Sequence, residues 1–468
     1  MSGDCQAAII GGGISGLATA FFLKQSGVRC TLFEKSARLG GLIRTDTIQG
    51  CQLEAGPDSY LAAKPAVTEL AAQIGGLKDE IIASNDERRR VYIVRDSRLI
   101  EMPAGMSMMV PGDLNAVLRS PLFSPGARFR LFSEIFYPQH CRAGDISVRE
   151  LVVSHFGEEM LEYVAEPLLS GVYGGDAARL SANSVFPRFV EYEREYGSLI
   201  RGVRRERRKA TAPGAGSLFL SFRRGMQSLT EALSAAIEGA VDVVYGEVSK
   251  LERTAGGWRL GFGDQTFEAR QVVLAIPAHS AARLLLDCAR ELAAELSQIP
   301  YSSAILVTLV YDKKDLQLPE GFGFLVPRRE RETIAAVTFI AQKWPLRIAP
   351  EMAALRAFIV DPQAPELLGK TDEELVEFVQ GDFARILHVH ASPLFSAVQR
   401  WPDSMPQYVI GHAERRTRIR SLLSGFEGLH LTGNAYEGVG IPDCVRLAKQ
   451  TANLIIQEAG RGAAGAAS

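Results

Sequence analysis

AAIIGGGISGLATAFFLKQSGVRCTLFE, residues 7–34, lays out three elements and a turn in one line. Four apolar residues predict a strand over 7–10, the glycine cluster a turn, LATAFFLKQS a helix ended by Gly27, and VRCTLFE a second strand closing at Glu34. Strand, helix and strand in this order form a βαβ unit. The fold class that follows is α/β, with a parallel sheet flanked by helices and a ligand crevice at the carboxyl ends of its strands. Gly11, Gly13 and Gly16 space out GxGxxG between strand and helix. They allow a tight turn, close backbone approach to a pyrophosphate and close packing of helix on strand. The free N–H groups and dipole of the helix N-terminus favour that anion. Glu34 follows Gly16 by 18 residues, at a strand end where a carboxylate can accept the ribose hydroxyl hydrogens. That context outweighs an ordinary glycine turn.

Working outward, EKSARLGGLIRT (34–45) puts Arg38 four residues after the acid and then a Gly40-Gly41 pair. Here the backbone can pass close to a second piece of a cofactor, as a resident flavin requires more than a departing nicotinamide does; the plainer reading is a surface arginine and a turn. Far along the chain, TGNAYEGVGIPDC (432–444) repeats the glycine-loop-into-helix logic, with Gly433 early in the loop, Pro442 at the helix start and Asp443 in its first turn. Such a helix end can face the pyrimidine side of an isoalloxazine ring and favour its reduced, anionic form. Trp401 in RWPDSMPQY offers an aromatic wall or an ordinary loop tryptophan.

The whole chain has 468 residues, 52 basic and 54 acidic, with 47% apolar content. This balance argues against a nucleic-acid binder and against a disordered or collagen-like chain. Six cysteines stand singly, with no CxxC pair, and the histidines show no HExxH spacing, so neither a disulfide framework nor a metal site is expected. No GxSxG and no nucleophile with a paired base is present. Catalytic side chains are therefore expected to be none, the chemistry being the cofactor's own. The uncharged stretch Cys5 to Leu23 follows Asp4 and is broken by three glycines, which reads as folded protein rather than a signal peptide. No apolar run reaches membrane-spanning length, and a reducing cytoplasm is the expected location.

The texture divides the chain into a discontinuous nucleotide-binding domain from 1–64, 217–300 and 405–458, a mostly helical insertion at 65–200, and a further strand-bearing unit at 301–404. The basic run at 201–216 reads as a mobile linker and 459–468 as a frayed tail. Helices are expected at 226–238 and 371–387, and strands at 304–311, 322–326 and 334–340.

Together GGGISGL, EKSARLGGLIRT, LEAGPDSYLAAK (53–64), EPLLSGVYGGDAARLSANSVFP (166–187), FRRGMQSLTEAL (222–233), VVLAIPAH (272–279), GFGFLVPRRE (321–330) and AYEGVGIPDC (435–444) run in order over nearly the whole chain. In them the chain resembles the oxygen-dependent protoporphyrinogen oxidase and coproporphyrinogen III oxidase family, within the flavin amine oxidase superfamily. The resemblance implies a p-hydroxybenzoate-hydroxylase-like fold with non-covalent FAD, in which the discontinuous domain is an FAD-binding domain and 301–404 a mixed-sheet substrate domain. The FAD would be held by Gly11, Gly12, Gly13, Ile14, Ser15 and Gly16, by Glu34, Lys35 and Leu42, by Gly56, Pro57, Asp58 and Ser59, by the backbone of Val248, and by Trp401, Val439, Gly440 and Ile441. Arg38, Gly41 and Gly433 join this set from the reading of the residues themselves. The implied reaction takes six electrons from a porphyrinogen in three two-electron steps, each passing hydride to flavin N5, with dioxygen reoxidising the flavin to give hydrogen peroxide.

Arg90 lies where family members place a carboxylate-binding arginine, with Arg88 and Arg89 blurring the register, and Lys64 is a second candidate for a substrate propionate. Protoporphyrinogen IX and coproporphyrinogen III both stay open as substrate. By the same analogy the helical insertion and the basic run are candidates for a peripheral contact on the inner face of the cell membrane, against a solvated linker, and the product is a candidate for handover to a ferrochelatase. The competing readings are a polyamine oxidase or carotenoid desaturase of the wider group, and a non-catalytic FAD-bound scaffold.

Overall fold

A computed structural model describes residues 7–139, 144–209 and 217–466. Its first layer is a five-stranded parallel sheet in the order Asp242–Tyr245, Cys30–Glu34, Ala7–Ile10, Gln271–Leu274, Leu429–Leu431. Every residue of the first two strands in sequence is buried, which is why they read as continuous apolar runs rather than alternating ones. The Ile14–Gln25 helix is buried over Ser15 to Leu23, because the Gln227–Ile237 and Ile441–Ala466 helices pack against it. On the sheet's other face, the antiparallel strands Val248–Thr254, Gly257–Phe262 and Gln265–Ala269 cover a core around Phe33, Trp258 and Leu260. One sheet thus gathers strands from three distant stretches of chain.

A second, seven-stranded mixed sheet runs Phe395–Pro406, Tyr301–Asp312, Met352–Val360, Ala336–Phe339, Gly323–Leu325, Val91–Arg95, Arg98–Glu101. The Asp372–Leu387 helix covers it, starting from a capping box in which Thr371 and Glu374 bond each other's backbone. Its core holds Val307, Leu309, Phe324, Phe339, Leu355 and Phe383.

Three expectations are corrected. Residues 91–101, assigned to the helical insertion, are two strands of the second sheet, with Val91–Arg95 parallel to Gly323–Leu325. The basic run is no linker over its first half. Leu199–Lys209 is a helix whose Leu199, Ile200 and Val203 are buried, with the arginines turned outward. Ser198 Oγ accepts from Arg201 N at 3.0 Å at its start. The rest of that expected linker, 210–216, lies outside the described residues. Finally, the last helix continues to Ala466 instead of fraying at 459; 467–468 are not described. Among the described residues, no helix is long and apolar enough to cross a membrane.

Candidate functional site

At the carboxyl end of the Ala7–Ile10 strand the chain turns through Gly11–Gly13 into the first helix. A Cβ on Gly16 would stand 1.8 Å from Gly11 O, so this position seats the helix directly on the turn. A Cβ on Gly13 would meet only Gly41 Cα, at 3.9 Å. Gly13 is the helix N-cap and has no side chain to satisfy the N–H groups of the first turn. The result is an uncapped helix terminus facing open space, with Ile14 and Ser15 in its first turn. Glu34 closes one side: Oε2 accepts from Gly12 N at 2.6 Å and Oε1 from Ser36 N at 2.7 Å. Ser36 Oγ is 2.6 Å from the same Oε1. Oε1 is therefore occupied, and Oε2 retains the spare acceptor capacity. Lys35 is exposed beyond it, and Val248 is buried where the neighbouring chain leaves Glu34, Gly246 N donating to Glu34 O at 2.8 Å.

The Gly40-Gly41 pair folds back onto this turn. Gly40 N donates to Gly12 O at 2.8 Å, and a Cβ on Gly41 would lie 3.1 Å from Gly13 Cα. Arg38 is spent on the loop itself, donating to Leu39 O at 3.1 Å, Ile43 O at 3.2 Å and Gly41 O at 2.5 Å. Next in line, a Cβ on Gly56 would be 2.0 Å from Leu42 O. The segment Ala55–Ser59, Pro57 included, is thereby held against the Leu42 segment. Trp401 joins from the second sheet, its Nε1 donating to Ala55 O at 2.6 Å.

The final loop meets the same crevice. Cys444, in the first turn of the last helix, is hydrogen-bonded to Ser15, in the first turn of the first, and burial pushes its thiol up to about 12. Two helix N-termini converge there, with Val439, Gly440 and Ile441 at the second. Tyr408 braces the loop: its hydroxyl donates to Asn434 O at 2.6 Å and accepts from Gly438 N at 2.8 Å. Gly433, with no atom within 4 Å of a Cβ position, lies open.

The two expected propionate ligands are both ion-paired within the protein. Lys64 Nζ is 2.6 Å from Asp443 Oδ2, so its charge serves the last helix. Arg90 is half exposed between Glu101 and Glu320, at 3.8 and 3.9 Å. Each of these cations has an acidic partner.

Sequence reasoning missed the ions behind the Ala55–Ser59 segment. Asp58 accepts from Lys343 Nζ at 3.0 and 2.9 Å and pairs with Arg356 Nη2 at 3.2 Å. Burial alone would raise its carboxyl, but these cations hold it far below the usual carboxylate range. Glu54, four residues earlier, is paired with the buried Arg347 and accepts from Thr45 Oγ1 at 2.7 Å and Met226 N at 2.8 Å. The available signal was Arg356 itself, one charge inside MAALRAFIV, since a charge in a buried strand demands a partner.

Four segments thus line one crevice: the glycine turn, the Gly40-Gly41 loop, Ala55–Ser59 and the final glycine loop. The chain belongs to the flavin containing amine oxidoreductases, whose family pattern matches residues 14–456; it is a flavoprotein. Within that class its relatives are porphyrinogen oxidases. It is 33% identical to the coproporphyrinogen III oxidase of Staphylococcus aureus over 96% of this chain and 99% of that one. It is 30% identical to protoporphyrinogen oxidase 1, chloroplastic, of Arabidopsis thaliana over 96% and 87%. Among solved structures, a candidate protoporphyrinogen oxidase from Exiguobacterium sp. 255-15 superposes with TM-score 0.86 at 33% identity, covering 98% of this chain and all of that one. Putrescine oxidase, at 17% identity and TM-score 0.67, shares the fold.

Proposed function

We propose that this protein is an FAD-dependent coproporphyrinogen III oxidase of haem biosynthesis. What carries the reading is end-to-end likeness: bacterial proteins of that name align over 93 to 97% of the chain. FAD fits the residues present. The uncapped helix terminus at Gly13 and the space above it suit a pyrophosphate, and Glu34 Oε2 suits a ribose hydroxyl. The Gly41–Leu42 and Gly56–Ser59 backbones suit the isoalloxazine end, with Trp401 as a wall.

The bound flavin supplies two-electron oxidation and reoxidation by dioxygen. The overall balance is a porphyrinogen plus three O2 giving a porphyrin plus three H2O2, six hydrogens leaving the macrocycle. The chain's own task is to place a methylene carbon of the ring against the cofactor and to keep the crevice dry; the pyrrole N–H protons can leave to water. The dipole of the last helix, aimed from Val439–Ile441, favours negative charge at its end. The half-exposed Arg90 can exchange its acidic neighbours for a substrate propionate. The product is a metal-free porphyrin, which suits delivery to a ferrochelatase.

The test is aerobic oxidation of both porphyrinogens side by side, followed by porphyrin fluorescence and peroxide release. Coproporphyrinogen III is expected to give a kcat/KM about tenfold above protoporphyrinogen IX, the scale of one added charge-assisted contact, with three peroxides per porphyrin. Preference for protoporphyrinogen IX would overturn the substrate, and bleaching of the bound flavin by putrescine or phytoene in its place would overturn the class.

Peripheral membrane contact belongs to the same reading. Phe129 and Phe136 are 75% and 72% exposed on the Pro125–Ser133 helix and the turn that follows. The arginine-rich Leu199–Lys209 helix belongs to the same helical unit, meeting that turn. Aromatics beside basic residues suit an anionic lipid surface. The protein is expected to float with anionic vesicles at low salt and to stay behind with neutral ones, and F129S/F136S is expected to lose most of the flotation. Equal recovery on both vesicle types would remove the idea.

A further inference from the structure

The ions beneath the Ala55–Ser59 segment do not balance. Glu54 and Asp58 supply two negative charges, and Lys343, Arg347 and Arg356 three positive ones, all with side chains 12% exposed or less. Arg347 also donates to Ser221 Oγ at 2.6 Å and Phe222 O at 2.9 Å. Arg356 turns the backbone toward itself, donating to Glu54 O at 3.3 Å and Gly56 O at 3.1 Å. Even so, the buried Nε atoms of both arginines find no acceptor in the protein. Burial pushes the Glu54 carboxyl up, against the pull of Arg347, Thr45 and Met226, which all donate to it. Burial pushes Lys343 down, against the pull of Asp58.

Burying five ions is a poor way to gain stability, since apolar residues of similar volume serve as well or better. A surplus cation with unpartnered donors in a low-dielectric setting instead favours negative charge arriving nearby. The segment it supports packs on Leu42 and, through Gly41, on the glycine turn.

We propose that Glu54, Asp58, Lys343, Arg347 and Arg356 form an electrostatic device whose net positive charge, held under Gly56–Ser59, stabilises the negative charge a bound flavin gains on reduction and so raises its potential. The proposal deepens the reading above and rests on Gly56–Ser59 contacting the flavin. These residues tune and position; none of them touches the reacting carbon. Arg356 and Arg347 suit the task because a guanidinium keeps its charge when buried.

The test uses the holoprotein at pH 8 under nitrogen, with the flavin midpoint potential read against a reference dye and flavin affinity measured in parallel. R356Q removes one positive charge and keeps an amide donor for the loop carbonyls; its potential is expected to fall. E54Q removes one negative charge at nearly constant shape; its potential is expected to rise. Each shift is expected to change the oxidised-to-reduced equilibrium about tenfold, the effect of one unit charge across a partly screened interior. The E54Q/R356Q double variant is expected to return toward wild type, and K343M, the substitute if R356Q does not fold, is expected to fall as well. Loop loosening alone would weaken flavin affinity in both single variants and move both potentials the same way or not at all; either result overturns the proposal. A wild-type protein that takes up no flavin would instead overturn the flavin reading, and this proposal with it.

Discussion

A methyl group at Gly16 is expected to abolish the folded holoprotein, whereas the same methyl at Gly13 leaves folded protein that no longer holds its flavin. The difference lies in what each Cβ would meet. At Gly16 it would stand 1.8 Å from Gly11 O, a distance no rotamer change relieves because both partners are backbone. The first helix would have to lift from the turn. Its Ser15 to Leu23 are buried between two other helices, so lifting it breaks the packing of the whole layer. The cost is expected to exceed about 3 kcal/mol, the upper range for overpacking a core. At Gly13 the backbone is ordinary, with φ −73°, and the nearest atom to an added Cβ is Gly41 Cα at 3.9 Å. Gly13→Ala therefore strains nothing in the protein, but its methyl enters the space in which a pyrophosphate approaches the helix N-terminus. Flavin affinity is expected to fall about 100-fold, roughly 2.7 kcal/mol, with the apoprotein melting as wild-type apoprotein does. Soluble yield, apoprotein melting and flavin titration check both variants. Wild-type flavin affinity in Gly13→Ala would move the pyrophosphate away from this turn.

What the sequence made legible follows from how local each signal was. The βαβ start was readable because its strands are buried on both faces and its helix is bounded by glycine turns, all within residues 7–34. The Asp372–Leu387 helix was legible from its amphipathic periodicity, and the Thr371–Glu374 capping box in the structure fixes where it starts. Val91–Arg95 carried an equally ordinary strand pattern, but its partner, Gly323–Leu325, lies across the molecule in sequence, and nothing nearby names it. The Leu199–Lys209 helix failed for a different reason. Its charges, RRERRK, dominated the reading, while the three apolar residues that dock it are spaced for a helix at the start of the run. Arginine and lysine are good helix formers, so a basic run that follows such residues reads better as a surface helix than as a linker. At the site, Gly11, Gly16, Gly41 and Gly56 were legible because each marks a close approach of backbone to backbone. The ionic cluster was not, since its members come from residues 54–58 and 343–356. Asp58 was assigned to the flavin by resemblance, and nothing near it in sequence names Lys343 and Arg356 as what its carboxylate faces. The partner of Lys64 was hidden for the same reason: Asp443 lies at the far end of the sequence.

Replacing His155 is expected to destabilise the helical unit, by an amount that depends on pH in a stated direction. His155 is buried, with Nδ1 2.9 Å from Glu134 Oε1 and Nε2 3.0 Å from Glu193 Oε1. Both acids are buried too. A neutral imidazole can donate from one nitrogen only, so contact with two carboxylates selects the imidazolium. Burial alone would lower the ring's proton affinity, but the hydrogen bonds to Glu134 and Glu193 outweigh it and raise the value above the ordinary 6.5. Glu134 also accepts from Ser198 Oγ at 2.7 Å and from Leu199 N at 2.6 Å, so the same carboxylate anchors the start of the arginine-rich helix. His155→Leu leaves two carboxylates facing an apolar side chain, which is expected to cost about 3–5 kcal/mol, the range for breaking a buried ion pair. Since the folded protein binds this proton more tightly than the unfolded chain, the ring's contribution is complete below pH 6.5 and is lost as pH climbs through the raised folded-state value. Urea unfolding from pH 5.5 to 9 should therefore show the gap between wild type and variant widest at the acid end and narrowing toward the basic end. Hydrogen exchange should show the Leu199–Lys209 amides losing protection first. A gap that stays constant or widens with pH would mean that the proton resides on one of the two glutamates instead.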